Sequence, residues 1–177
     1  MLLTSLNPPC MSPAEHEACF DRWIREHGAI LHRVSRAFAE GAGQADLMQE
    51  LLLALWRAVP AFRGEASPAT FVYRVSHNAA MTWRRAERNY RRYVTAYGND
   101  ATTAPAEASA PDQERLERLY AAIRRLPELD RSLILLALDG VSYREMAAVH
   151  GLTESNVGAR LTRARARLAD DLQGEHP

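Results

Sequence analysis

Apolar positions along this chain recur every three to four residues and nowhere alternate over a useful length. The pattern predicts helices throughout. The first opens at Ser12, Pro13, Ala14 and Glu15, a capping box with proline at the first helical position. Its apolar stripe is Phe20, Ile24, Leu31, Val34 and Phe38, with His27 on the same face, and Gly41 and Gly43 end it. A second helix runs from about 44 to 59, where Pro60 stops it. At about 100° per residue, Leu47, Leu51, Ala54, Leu55 and Ala58 share one broad face. Asp46, Gln49, Glu50, Leu53 and Arg57 share another, so Leu53 is an apolar residue framed by polar ones. A short connection, 62–67, leads to a third helix that Ser67 caps and Pro68 begins. Its expected stripe is Phe71, Val75, Ala79, Trp83, Ala86 and Tyr90.

The stretch AYGNDATTAPAEASAP (96–111) has small residues, two prolines and no hydrophobic period, and reads as a flexible linker. It divides the chain into a first lobe, 12–95, and a second, 112–172. The second lobe should hold a helix from about 112 to 126, a break at Pro127, and another helix from about 128 to 138. After Asp139 and Gly140, Ser142 caps a short helix that buries Met146, Ala147 and Val149. Gly151 then lets the backbone turn with positive φ, and Thr153 caps a last helix with Glu154 in its first turn. Ala147, Gly151 and Val157 have helix-turn-helix spacing: Ala permits a close crossing, Gly makes the turn, Val anchors the second helix.

Charge sharpens this picture. The formal net charge of the 177 residues is zero, and all 22 basic residues are arginine. The absence of lysine is the ordinary consequence of a GC-rich coding sequence and separates no hypotheses. The distribution matters more. On the third helix Arg74, His77, Arg84, Arg88, Arg91 and Arg92 gather opposite the apolar stripe, with Arg85 at the edge. Five arginines and one acid between 84 and 92 point to a polyanionic partner. On the last helix Val157, Leu161, Ala164 and Leu168 form an apolar stripe. Ser155, Ala159, Thr162, Arg163 and Ala166 lie opposite, flanked by Asn156, Arg160 and Arg167. Small and hydrogen-bonding residues suit a major groove, and the arginines suit phosphates.

Cys10, His16 and Cys19 supply three potential zinc ligands without an obvious fourth, so no metal or cofactor is expected. No apolar run approaches the roughly 20 residues of a membrane span and no secretion signal is visible. The default location is the cytoplasm, without membrane insertion.

Three stretches, in order and across a linker, carry a specific resemblance: ADLMQELLLALWRA (45–58), AFRGEASPATFVYRVSHNAAMTWRRAER (61–88) and LPELDRSLILLALDGVSYREMAAVHGLTESNVGARLTRARARL (126–168). Over nearly its whole length the chain resembles bacterial RNA polymerase sigma factors of the extracytoplasmic-function group, small members of the sigma-70 family. The resemblance implies an all-α fold of two small helical domains: a sigma-2 bundle and a sigma-4 helix-turn-helix, joined by the flexible linker. It implies that Asp46, Gln49, Glu50 and Leu53 dock on the β′ coiled coil of core RNA polymerase, and that sigma-4 reaches the β flap. Arg63, Gly64 and Glu65 in the 62–67 loop, with Asn78, would capture a base flipped from the −10 element. Arg74, Arg84, Arg85 and Arg88 would follow the adjoining promoter DNA. Ser155, Asn156, Ala159, Arg160, Thr162 and Arg163 would read the −35 element. An anti-sigma factor is the implied regulator. Departures from the family pattern are Gly43-Gln44-Ala45 where acids are usual, Phe71 where Trp is usual, and Gly158 where Lys or Arg is common.

Two other classes are weighed against this. A stand-alone helix-turn-helix regulator would bind promoter DNA well without polymerase. For an enzyme, Glu145 with His150 or His77 with Asn78 could be drafted as acid–base pairs. No metal-ligand spacing, nucleophile motif or phosphate loop supports either pair, and no catalytic activity is expected.

Overall fold

The computed structural model describes residues 12–97 and 111–173, with side chains described over 12–93 and 112–173. Among the described residues the fold is helical, without strands: α1 (Pro13–Phe38), α2 (Ala42–Ala58), a 3₁₀ turn (Val59–Ala61), α3 (Pro68–Tyr97), α4 (Pro111–Arg125), α5 (Glu128–Leu138), α6 (Tyr143–His150) and α7 (Glu154–Gln173). The linker lies almost wholly in 98–110, outside the described residues, as does Cys10.

Local signals set most boundaries. Ser12 and Glu15 make the expected capping box, the Ser12 hydroxyl accepting from the Glu15 amide at 3.3 Å and the Glu15 carboxylate accepting in return at 2.8 Å. Those hydrogen bonds hold the Glu15 carboxyl below the ordinary range. Ser67 accepts from the Thr70 amide at 3.1 Å to start α3. Helix α1 ends earlier than expected, at Phe38. Gly41, with φ of 51°, sits ahead of α2, and Gly43 lies inside it. Replacing Gly43 with a larger residue would meet the Trp83 ring, 3.3 Å from a Cβ there.

Helices α1, α2 and α3 pack as a three-helix bundle, and α7 is the post around which α4, α5 and α6 gather. Leu47, Leu51 and Leu55 are fully buried along one face of α2, and Val157, Leu161, Ala164 and Leu168 are buried on α7. Both stripes match the sequence periodicity. On α1, Trp23 is fully buried although the expected stripe omits it, with Phe62 and Phe71 packed edge-on or tilted against its ring. On α3 the buried residues are Thr70, Phe71, Val72, Tyr73, Ser76 and Ala80, whereas Ala86 and Tyr90, placed in the stripe from the pattern, are exposed. Helix α3 is covered on more than one side, so a single stripe does not describe it.

The two halves are not independent lobes. Helix α1 contacts α4 and α5, and α3 contacts α6. The last turn of α1 leaves carbonyls without helical partners, and three guanidinium groups satisfy them. Arg124 donates to the Arg36 carbonyl at 3.0 Å, Arg131 to that of Ala37 at 3.0 Å, and Arg84 to that of Phe38 at 3.2 Å. Cations at a helix C-terminus are favoured by the dipole; two of these three come from the second half. Arg131 also donates to the carbonyls of Arg124 and Leu126 and lies 5.0 Å above the Phe38 ring. Burial brings its pKa down to about 10.

Candidate nucleic-acid interface

Helix α7 is presented by a built turn. Ser142 and Glu145 form a second capping box at the start of α6. Gly151 adopts φ of 64°, the left-handed region that favours glycine. The Thr153 hydroxyl accepts from the Asn156 amide at 3.2 Å to start α7. With its apolar stripe buried, α7 exposes Ser155, Asn156, Ala159, Thr162 and Arg163 on one front. Arg160 is different: it is half-buried and pairs with Asp130 of α5 at 2.7 Å. Its expected role in DNA reading therefore competes with a bond that fixes α7 to α5. At Gly158 the Tyr143 ring packs 3.5 Å from a Cβ position. An exposed phenol from α6 thus covers the spot where a basic side chain is common in the resembled family.

On the first half, Asp46, Gln49, Glu50 and Leu53 are all exposed on one side of α2. Leu53 is 41% exposed, and Trp56, one turn on, is 37% exposed. Trp56 was not among the expected docking residues, although its spacing from Leu53 places it on the same side. His16 stacks on the Trp56 ring with centroids 4.0 Å apart and donates from Nε2 to the Trp56 carbonyl at 2.7 Å. That bond occupies one of the three potential zinc ligands. Among the described residues no group of three or more His, Cys, Asp or Glu is arranged to hold a metal.

The −10 candidates do not form one site. Arg63, Gly64 and Glu65 are exposed in the 62–67 loop, where Gly64 has φ of 73°. That loop borders a cleft of 520 Å³ whose other wall is Arg144, Glu145 and Ala148 of α6. Asn78 instead lines a 540 Å³ groove between α2 and α3 with Glu50, Arg57, Thr82 and Trp83. Arg74 and Arg85 are exposed. Arg84 and Arg88 both reach Glu128 of α5, at 3.1 and 3.2 Å. His77, counted from the sequence on the open basic face, is turned inward against α6.

Two comparisons of sequence bear on this arrangement. The family model for Sigma-70 region 2 matches residues 23–90, and that for Sigma-70 region 4 matches 116–168. Together they take in well over half of the chain, in the family's order. The chain belongs to the sigma-70 family. It is 29% identical over 158 residues to the ECF RNA polymerase sigma factor SigM of Mycobacterium tuberculosis, covering 85% of this chain and 75% of that protein. To the ECF RNA polymerase sigma-E factor of Escherichia coli it is 29% identical over 161 residues, covering 85% and 84%. In solved structures the same fold occurs in CnrH, determined with the cytosolic domain of CnrY, at a TM-score of 0.64 and 24% identity over 90% of this chain and 91% of that one. It occurs also in the sigma factor RpoE of Bartonella quintana, determined with the anti-sigma factor NepR, at a TM-score of 0.69 and 20% identity over 89% and 98%.

In region terms, α2 and α3 of this sigma-70 chain lie in region 2, and α5, α6 and α7 in region 4. Region 4 sits directly on region 2. The Tyr73 hydroxyl donates to the Ser132 carbonyl at 2.7 Å, and the Ser132 hydroxyl lies 3.2 Å from His150 Nε2. The rings of His77 and His150 meet edge to face with centroids 4.8 Å apart. Burial, and for His77 the neighbouring His150 as well, bring the pKa of each imidazole down to about 4. Burial pushes the Tyr73 phenol upward. Arg33 pairs with Asp139 across the same junction, and Arg124 with Glu40 at 2.7 Å. Among the described residues no helix is long and apolar enough to cross a membrane.

Proposed function

We propose that this protein is an extracytoplasmic-function sigma factor. It joins core RNA polymerase in the cytoplasm, directs it to a class of promoters, and carries out no bond chemistry of its own. The observation that carries the reading is the pair of sigma-70 region matches in order, each holding an exposed face suited to its task. The face of Asp46, Gln49, Glu50 and Leu53, widened by Trp56, is an apolar centre with a polar rim, the anatomy of a docking surface. The sigma-4 domain, 112–172, meets the β flap; the sigma-2 domain, 12–95, meets the β′ coiled coil. Residues 96–111 connect them.

The exposed front of α7 reads the −35 duplex, with Arg163 as its foremost cation. Phosphate contacts give salt-dependent affinity without sequence information. Unstacking a base costs a few kcal/mol; the 62–67 loop and, in a separate groove between α2 and α3, Asn78 each offer −10 DNA a contact that repays part of it. An anti-sigma factor is the expected antagonist, as CnrY and NepR accompany the two structural relatives. A stand-alone regulator leaves the region 2 match without a purpose.

Transcription with core polymerase on duplex and premelted templates tests the assignment. Arg163→Ala should weaken initial promoter binding by about 1–3 kcal/mol if it reads a base, and a mismatched −10 bubble should not rescue it. Asn78→Ala should leave duplex association nearly intact and impair opening, and the bubble should restore much of the activity. Equal rescue of both variants, or of neither, would show that the two roles are misassigned.

A further inference from the structure

The junction between the halves engages two of the arginines that region 2 would use on DNA and borders its 62–67 loop. Glu128 holds Arg84 and Arg88, Glu145 receives the Thr70 hydroxyl at 3.5 Å, and α6 walls the 62–67 loop. At the centre lie two histidines, one from each half, ring against ring. His77 is packed on its α1 side against the Phe38 ring at 6.0 Å. Its Nδ1 is buried without a hydrogen-bond partner, so a proton added there finds no acceptor. We propose that this junction is a clasp released by acid: with His77 and His150 neutral it keeps region 4 over Arg84, Arg88 and the 62–67 loop, and protonation of the pair parts the halves.

Burial of both rings, and for His77 the nearness of His150, favour this direction. Facing His77 are Glu128 of α5 and His150 of α6; Arg84 of α3 pairs with that Glu128, and Arg131 of α5 lies over Phe38, the ring His77 also meets. Beyond Tyr73 stand Arg33 of α1 and Asp139. Glu128 alone among these raises the affinity of His77 for a proton, and its carboxylate is already shared by two arginines. Positive charge on both rings, whose centroids are 4.8 Å apart in a closed junction, is unfavourable. Both imidazoles are held neutral by closure, since their pKa values fall from the ordinary 6.5 to about 4. Protons therefore bind the open chain in preference to the closed one. The contribution of the pair to closure is complete above about pH 6.5 and is lost as pH falls from there toward 4.

Each histidine shifts the open-to-closed ratio by up to about tenfold per pH unit below 6.5, so the pair gives about a hundredfold between pH ~7.5 and ~5.5. That Arg84, Arg88 and the loop read DNA rests on the function proposed above; the clasp itself does not. The test uses the full chain with Cys10→Ser, Cys19→Ser, Asp21→Cys and Ala169→Cys, spin-labelled at the two introduced thiols. Pulsed electron resonance should show one short distance at pH ~7.5 and a growing longer one toward pH ~5.5. His77→Leu with His150→Gln should abolish the dependence. If that pair of changes unfolds the chain, His150→Gln alone should reduce the hundredfold shift to about tenfold. A single short distance throughout, with helicity unchanged, would overturn the clasp. So would opening in the double variant that follows the unaltered histidines. A single-stranded −10 oligonucleotide added to the same samples separates the two claims. Halves that part without binding it would leave the clasp standing and remove the promoter assignment.

Discussion

Leu53 shows how far one residue can be read from a sequence. Its place among Asp46, Gln49 and Glu50 is a matter of helical period, and the structure leaves it exposed there. Leu53→Asp should abolish retention by core polymerase while circular dichroism stays unchanged, because no buried contact is removed. Retained pull-down would mean that the side of α2 is merely solvated. Trp56 belongs to the same face but was overlooked, since a tryptophan invites a core assignment and here it is only partly covered. Gly151 is a cleaner case. Its positive φ is legible from the turn spacing alone, and the structure gives 64°. Gly151→Ala should cost about 1–2 kcal/mol, measured by urea denaturation, and a neutral effect would mean that the turn relaxes. His77 was misplaced for the opposite reason. Nothing near it in the sequence says that a second histidine, from α6, will lie against its ring.

Elements whose partners are close in sequence were readable, and those whose partners are distant were not. The capping residues Ser12, Ser142 and Thr153, the stripe of α7 and the buried face of α2 depend on spacings of three or four residues. The C-terminus of α1 depends on Arg131, 94 residues from the Ala37 carbonyl it caps. Tyr73 depends on Ser132, 59 residues away. No period marks such pairs, so Tyr73 was left out of the α3 stripe and Arg131 had no assigned role. Arg131→Ala would remove one of the three guanidinium caps on the α1 C-terminus and leave a void beside Phe38. It should lower stability by about 2–4 kcal/mol, measured by chemical denaturation. A loss under about 1 kcal/mol would show that water replaces the guanidinium without penalty. Total helicity unchanged by circular dichroism would show that the helices persist and that the loss lies in their packing.

At the scale of the whole molecule, the two surfaces proposed to read DNA are not equally available. The front of α7 is open, whereas Arg84 and Arg88 of α3 are tied to Glu128 and the 62–67 loop faces α6. The sequence suggested two lobes whose geometry nothing fixes; the junction of arginine caps, the Tyr73–Ser132 bond and the histidine pair instead gives them a defined arrangement. The isolated protein should therefore bind duplex promoter DNA poorly, and specific binding should appear with core polymerase, on which the proposed docking sites would hold the halves apart. Tight footprinting by the free protein would favour a stand-alone regulator. Glu128 offers a sharper test, because it contacts region 2 arginines without lying on the α7 front. Glu128→Gln removes the carboxylate charge from both Arg84 and Arg88. Partly exposed ion pairs are worth up to about 1 kcal/mol each, so affinity of the free variant for single-stranded −10 DNA should rise about three- to tenfold. Its affinity for a −35 duplex should stay the same, since Arg163 and Thr162 are exposed with or without the junction. Fluorescence anisotropy on the two oligonucleotides distinguishes the outcomes. An equal rise on both would mean that the variant has gained only non-specific positive charge, and no rise on either would mean that Glu128 does not compete with DNA for Arg84 and Arg88.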